Sequence, residues 1–266
     1  MPEQIELNEG RRLFGLNPQG YEDTRPEYPV WIFDHLRERG ALVDGTLTLE
    51  IGAGTGKATR RLLEYGANPL TIIEPDARFA ALLGTAANAS TANCTVVHES
   101  FEDAVLPDSQ FDLIVAATAF HWIEPTAGLR KIKRLLRRDG FVALFWNVLS
   151  DMHKEDLFHE ATVGLFSPLA VGPSDQPGTV PFALDRAARE AEANAAGFKA
   201  TEYLESRWSH VLNTDEVGKL YESFSHIQRL DGDTRARLLD ELAAIADTQF
   251  NGEVVRNVTS CLYLFS

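Results

Sequence analysis

The chain has 266 residues, enough to bury a full core, and 44% of them are hydrophobic, as in a globular protein. Its 39 acidic residues outnumber 25 basic ones, a formal net charge of −14, which argues against a nucleic-acid or anionic-membrane partner. The opening MPEQIELNEG is too polar and acidic for a signal peptide, and no apolar run has the length to cross a membrane. A soluble, cytoplasmic protein is expected. Cys94 and Cys261 sit in apolar strand-like runs without a metal-ligand spacing, so free buried thiols and no metal are expected.

In chain order, Thr46–Ile51 reads as a short apolar strand that runs into Gly52, Gly54 and Gly56. Lys57–Tyr65 is helical and Gly66 suits its end. Strand Leu70–Ile73 closes on Glu74–Pro75–Asp76, and an Ala/Leu-rich helix covers Arg78–Ala87. Cys94–His98 is a third strand and Phe111–Ala116 a fourth, apolar throughout as in a parallel strand covered on both faces. Pro125 opens a helix to about Arg138 with Gly140 just beyond, and Phe141–Trp146 is a fifth strand. The basic run Lys131–Arg138 reads as the solvated face and last turn of that helix. Such alternation predicts a parallel sheet with right-handed crossovers. Helix Asp151–Phe166, a Pro/Gly-rich loop at 167–181, helix Leu184–Ala196, strand Thr201–Leu212, helices near Asp215–Gln228 and Thr234–Phe250, and strand Val254–Phe265 complete the chain.

The most specific signal is TLEIGAGTGK at 48–57. A strand ending in alternating glycines and turning into a helix lets a ligand lie against backbone, beside free N–H groups. A dinucleotide fingerprint, G-x-G-x-x-G, fails because its third glycine falls on Lys57 or Thr59. A phosphate loop, G-x-x-x-x-G-K-[ST], fails at Ile51 and Ala58. Glu74, at the end of the second strand, is placed to accept both hydroxyls of a ribose. After the third strand come Ser100–Phe101–Glu102–Asp103, where an acid can meet an adenine amino group beside an aromatic ring. After the fourth come Ala117, Thr118, Ala119, Phe120, His121 and Trp122. His121 is either a general base or a contact that fixes the loop.

The order TLEIGAGTG, IIEPD, ESFED, FDLIVAATAFHWI and LLRRDGFVALFWN resembles the class I S-adenosylmethionine-dependent methyltransferases. Within them the chain is similar to the small-molecule branch, the type-11 and trans-aconitate-methyltransferase-like group, whose Y-x-x-x-R-P-x-Y-P segment is matched at Tyr21–Pro29. The motifs cover residues 18–147, and the tail is similar in layout only.

The resemblance implies an α/β, Rossmann-like fold with a seven-stranded, mostly parallel sheet in order 3-2-1-4-5-7-6. It implies one domain: an N-terminal cover at 1–40, a cofactor-binding core at 41–147, and substrate-side insertions with the last strands at 148–266. Gly52, Ala53, Gly54 and Gly56 would pass under the methionine and ribose of S-adenosyl-L-methionine. Glu50 would approach its ammonium group and Glu74 its ribose, with Pro75 setting the turn. Phe101 and Glu102 would flank the adenine, although with acids at both 102 and 103 either could contact it. Ala117 and His121 would lie near the methyl group. Tyr21, Arg25 and Tyr28 would belong to the cover, Arg25 facing the cofactor carboxylate.

The expected activity is methyl transfer to a small molecule, at a hydroxyl, phenol or carboxylate oxygen. A phenol or hydroxyl benefits from a base, and a carboxylate needs a cation instead. Trp146, Phe158, Phe166, Phe182, Trp208, Tyr221 and Phe224 would line an apolar pocket or, as is commoner at these spacings, form core. Monomer and homodimer are equally compatible with the sequence. The rivals are a binder that keeps the fold without catalysis and an NAD(P)-dependent dehydrogenase, which lacks support from either the glycine spacing or a Tyr-x-x-x-Lys pair.

Overall fold

The computed structural model describes residues 3–13, 16, 18–89, 93–167, 169–174 and 178–266. Helices α1 (Leu7–Leu13), α2 (Pro18–Thr24) and α3 (Val30–Glu38) precede strand β1 (Thr46–Ile51). Helices and strands then alternate, except that β3 leads to β4 without a helix: α4 (Lys57–Glu64), β2 (Ala67–Ile73), α5 (Ala77–Ala89), β3 (Cys94–Val97), β4 (Phe111–Ala117), α6 (Pro125–Leu135) and β5 (Leu136–Val148). The remainder is α7 (Leu157–Phe166), α8 (Arg186–Ala195), β6 (Thr201–Asn213), α9 (Thr214–Glu222), α10 (Ser225–Gln228), α11 (Gly232–Phe250) and β7 (Glu253–Phe265).

The strands form one seven-stranded sheet in order β3-β2-β1-β4-β5-β7-β6, as expected, with helices on both sides. β1 pairs in parallel with β2 and β4, β2 with β3, and β4 with β5. The order turns at β1 and β4, where a doubly wound sheet leaves a crevice at its carboxyl edge.

By its internal contacts the chain divides into two compact units. Glu27–Trp146, Phe182–Glu205 and Ser260–Ser266 make the first, here the glycine-loop unit. Its core joins Phe33 and Leu36 of α3, Leu62 of α4, Ile72, Val115 and Phe145, all fully or almost fully buried. Met1–Pro26, Asn147–Pro181 and Ser206–Thr259 make the second, here the helical unit. Its core gathers Phe158, Val217, Leu220, Tyr221, Leu242 and Val254. Phe158 and Tyr221 are therefore core residues, while Phe166 and Phe224 are partly buried against them.

Several boundaries differ from expectation: β2 begins at Ala67 rather than Leu70, and the helix expected near Asp215–Gln228 is two, α9 and α10. α7 begins at Leu157 rather than near 151, because the Asp156 carboxylate caps it by accepting from the His159 N–H at 2.9 Å. α6 ends at Leu135, and β5 has already begun at Leu136. The register against β4 then slips, from Phe111↔Leu136 to Leu113↔Phe141. Gly140 lies inside this irregularity, where a Cβ would sit 2.9 Å from the Asp112 carbonyl oxygen. It is a close-approach glycine and not a helix cap. The basic run is likewise structured: Arg134 pairs with Asp108 at 2.6 Å and Arg137 with Asp112 at 2.7 Å.

Of the loop expected at 167–181, residues 168 and 175–177 lie outside the described residues. Val171 forms a parallel bridge with Gln4. Among the described residues no helix is long and apolar enough to cross a membrane, and no cluster of His, Cys, Asp and Glu could hold a metal.

Candidate functional site

The glycine loop begins where β1 ends. Glu50 and Ile51 are buried on both faces of the sheet, so the chain leaves the strand at Gly52 with no freedom to bend earlier. Gly52, Gly54 and Gly56 all have positive φ, at 69°, 57° and 88°. At Gly52 a Cβ would stand 2.7 Å from the Ala119 Cβ, so this glycine lets the loop after β4 come close. At Gly54 a Cβ would meet nothing within 4 Å, so that side of the loop is open. Gly56 is the N-cap of α4 and makes no side-chain cap, which leaves the first-turn N–H groups without a local side-chain acceptor.

Two carboxylates flank the loop. Glu74, only 4% exposed, accepts from the Gly54 N–H at 2.8 Å and from the Asp76 N–H at 2.9 Å. It braces the loop from the next strand, with Pro75 between its two contacts. Asp76 in turn is gripped by Arg78, which holds its carboxyl below the usual range although burial pushes the other way. Glu50 is fully buried; its Oε2 accepts from the Thr59 hydroxyl at 2.6 Å, and its Oε1 has no hydrogen-bond partner among the described residues. Burial pushes the Glu50 carboxyl up to about 7; the Thr59 bond opposes this and the charge of Glu74 adds to it. The Thr55 hydroxyl, in the loop itself, is also buried without a partner among the described residues. Lys57, which a phosphate loop would turn toward its ligand, is instead paired with Glu27 at 2.7 Å.

After β3, Phe101 is buried, and Lys131 of α6 donates to the carbonyls of Phe101, Glu102 and Ala104 at 2.6, 3.0 and 2.7 Å. One lysine from the basic run thus fixes the turn expected to face adenine. Asp103 is spent inside that turn, accepting from the Ser100 hydroxyl at 2.7 Å. Of the two acids, Glu102 is the one not tied to Ser100.

After β4, Ala117 ends the strand and Thr118 takes a left-handed φ of 51°, unusual for a branched residue. Its N–H donates to the Phe145 carbonyl at 2.8 Å and its hydroxyl accepts from Tyr28 at 2.9 Å, which together hold the strained turn. His121 lies in a short 3₁₀ turn, Phe120–Trp122, and is 7% exposed. The Trp146 indole N–H donates to His121 Nδ1 at 3.1 Å. An indole nitrogen can only donate, so Nδ1 is the acceptor and the neutral ring carries its proton on Nε2.

The carboxyl edge therefore brings together Glu50, Gly52, Ala53, Gly54, Gly56, Glu74, Pro75, Ala117 and His121, with Phe101 and Glu102 following β3. Tyr21 and Arg25 belong to the helical unit. There Arg25 donates to the Ser223 hydroxyl at 2.9 Å and lies 4.3 Å from the Phe224 ring centre. Thr55 and Thr59 were not anticipated, nor were the contacts made by Lys131 and Trp146. Thr59 carries a trace in sequence, a polar residue on the buried side of a helix's first turn, whereas Lys131 and Trp146 carry none.

Residues 49–144 match a family model described as a methyltransferase domain. A methyltransferase-like protein of Schizosaccharomyces pombe is 28% identical over 249 residues, covering 93% of this chain and 90% of that one. The matched domain and this relative indicate a methyltransferase. An uncharacterized methyltransferase of Mycobacterium tuberculosis is 34% identical over 139 residues, half of this methyltransferase and 51% of its relative. In fold, the methyltransferase is similar to phosphoethanolamine N-methyltransferase 2 of Haemonchus contortus, solved with phosphomonomethylethanolamine and S-adenosylhomocysteine. The TM-score is 0.57 at 14% identity, over 94% of this chain and 57% of that one.

Proposed function

We propose that this methyltransferase binds S-adenosylmethionine on its glycine loop and transfers the methyl group to an oxygen of a small molecule, a carboxylate oxygen by preference. The observation that carries the cofactor reading is the pair of buried acids flanking open Gly54. Both are acceptors, and the orphaned Oε1 of Glu50 suits an ammonium while Glu74 suits ribose hydroxyls. Phe101 and Glu102 would hold the adenine, and Thr55 offers a hydroxyl beside the methionine portion.

When bound, the cofactor supplies an electrophilic methyl group on a positively charged sulfur. The chain's own part is to position, to exclude water and to donate hydrogen bonds. Orientation alone is worth about 7–11 kcal/mol in favourable systems. His121 is suited to donation and not to proton removal. Its Nδ1 lone pair is engaged by Trp146, so the ring proton sits on Nε2, and taking up a second proton at Nδ1 would break the indole bond. A carboxylate needs no base and accepts such a donor, which favours it over a phenol or alcohol.

The test is S-adenosylhomocysteine release with matched panels of small carboxylic acids and phenols. Turnover of carboxylates is expected. Turnover of phenols alone, with a rate that rises through the imidazole range and is lost in His121→Ala, would overturn the carboxylate reading.

A further inference from the structure

We propose that Glu50 holds a proton in the ligand-free protein and surrenders it when a cationic ammonium group binds beside it, so that cofactor binding releases a proton. This rests on the cofactor reading above and adds a chemical step to it. The geometry is that of a neutral acid waiting for a cation. Glu50 is fully buried in the centre of the sheet, opposite Ile72 of β2 and Val115 of β4. One oxygen is satisfied by Thr59 and the other by nothing among the described residues. An ionised carboxylate half-satisfied in such a place is costly, and a protonated one much less so.

The surrounding charges favour the same state. From the end of β2 comes a second carboxylate, Glu74, which disfavours ionisation of Glu50. From α4 come Lys57, paired with Glu27, and Arg60, half exposed, whose charge opposes protonation but ranks below burial. From β3 comes the Cys94 thiol, raised by burial and by Glu50 itself. Asp112, the titratable residue of β4, pairs with Arg137 at the other end of the strand, and His121 follows that strand bonded to Trp146. Asp76 and Arg78 neutralise each other. Among the described residues the half-exposed Arg60 is the charge that favours ionised Glu50, and burial outweighs it, pushing the carboxyl up to about 7.

The step balances simply. The O–H bond of the Glu50 carboxylic acid breaks, its proton leaves to solvent, and the carboxylate pairs with an ammonium that stays charged throughout. The folded, ligand-free group is raised while the ammonium lowers it again, so affinity is full above the raised value and falls as pH drops below it.

The experiment is titration calorimetry of S-adenosylhomocysteine in buffers of different ionisation enthalpy. About half a proton should be released per ligand near pH 7, and binding should be roughly eightfold weaker at pH 6.0 than at pH 7.5. Glu50→Gln should abolish both the release and the pH dependence. Thr59→Val, which removes the bond favouring the ionised form, should move the midpoint to higher pH; it keeps the idea testable if the first variant does not fold. Binding without proton release and with a flat pH profile, or the same profile in Glu50→Gln, overturns proton exchange and leaves the cofactor reading standing. No binding of S-adenosylhomocysteine at any pH sinks the cofactor reading itself.

Discussion

At the scale of single residues, Glu74 braces the loop: its carboxylate accepts from Gly54 and Asp76 inside the fold, and the proposed cofactor reading adds a ribose to its partners. Glu74→Ala should weaken S-adenosylhomocysteine binding at least tenfold, about 1.4 kcal/mol, while circular dichroism stays that of a folded protein. An unchanged dissociation constant would refute the ribose role. The positions of Glu50 and Glu74 at strand ends were legible in the sequence, and the end of a parallel strand is where such sheets bind ligands. The bonds that define their chemistry were not. Thr59 reaches Glu50 across a loop, and Trp146 reaches His121 from a strand 25 positions away, as neighbours only through strand order and register. A lone histidine in sequence reads equally as a base or a contact; the indole beside it shows which nitrogen carries the proton.

At the scale of elements, the glycine loop and the turn after β4 fit as a matched pair. Gly52 needs its hydrogen twice over, for a φ of 69° and for the 2.7 Å approach of Ala119. Gly40 has the same φ of 69° but open space around its missing Cβ, which makes it a control. Gly40→Ala should therefore cost only the backbone term, about 1–2 kcal/mol, and Gly52→Ala distinctly more, with loss of cofactor binding. Equal drops in thermal midpoint for the two variants would show that the approach of Ala119 carries no weight. The alternation of strands and helices was readable because buried parallel strands are apolar throughout and glycine or proline marks their ends. Gly140 misled for a physical reason: glycine after a helix usually caps it, and here it admits the Asp112 carbonyl in a slipped register. Lys131 was equally hidden, since helical periodicity places a lysine on a face without saying which carbonyls that face meets.

At the scale of the molecule, a net charge of −14 and a sequence pI near 4.9 set the electrostatic background. A cofactor carrying positive charge is drawn to such a surface, and phosphate-bearing polymers are repelled. The fold order, with its turn between β1 and β4, places every glycine-loop contact on one edge of the sheet. The helical unit has its own core and its own buried ion pair, Arg256 with Asp156 at 2.9 Å, and no motif in its sequence announced either. That silence explains why the proposed cofactor rests on sequence motifs while the proposed acceptor class rests on the state of His121. The central claim, that the glycine loop and its two acids hold S-adenosylmethionine and not a dinucleotide, is tested most directly by calorimetry near neutral pH. One equivalent of S-adenosylmethionine or S-adenosylhomocysteine should bind per chain, and NAD should give no heat; NAD binding with neither sulfur compound bound would contradict it.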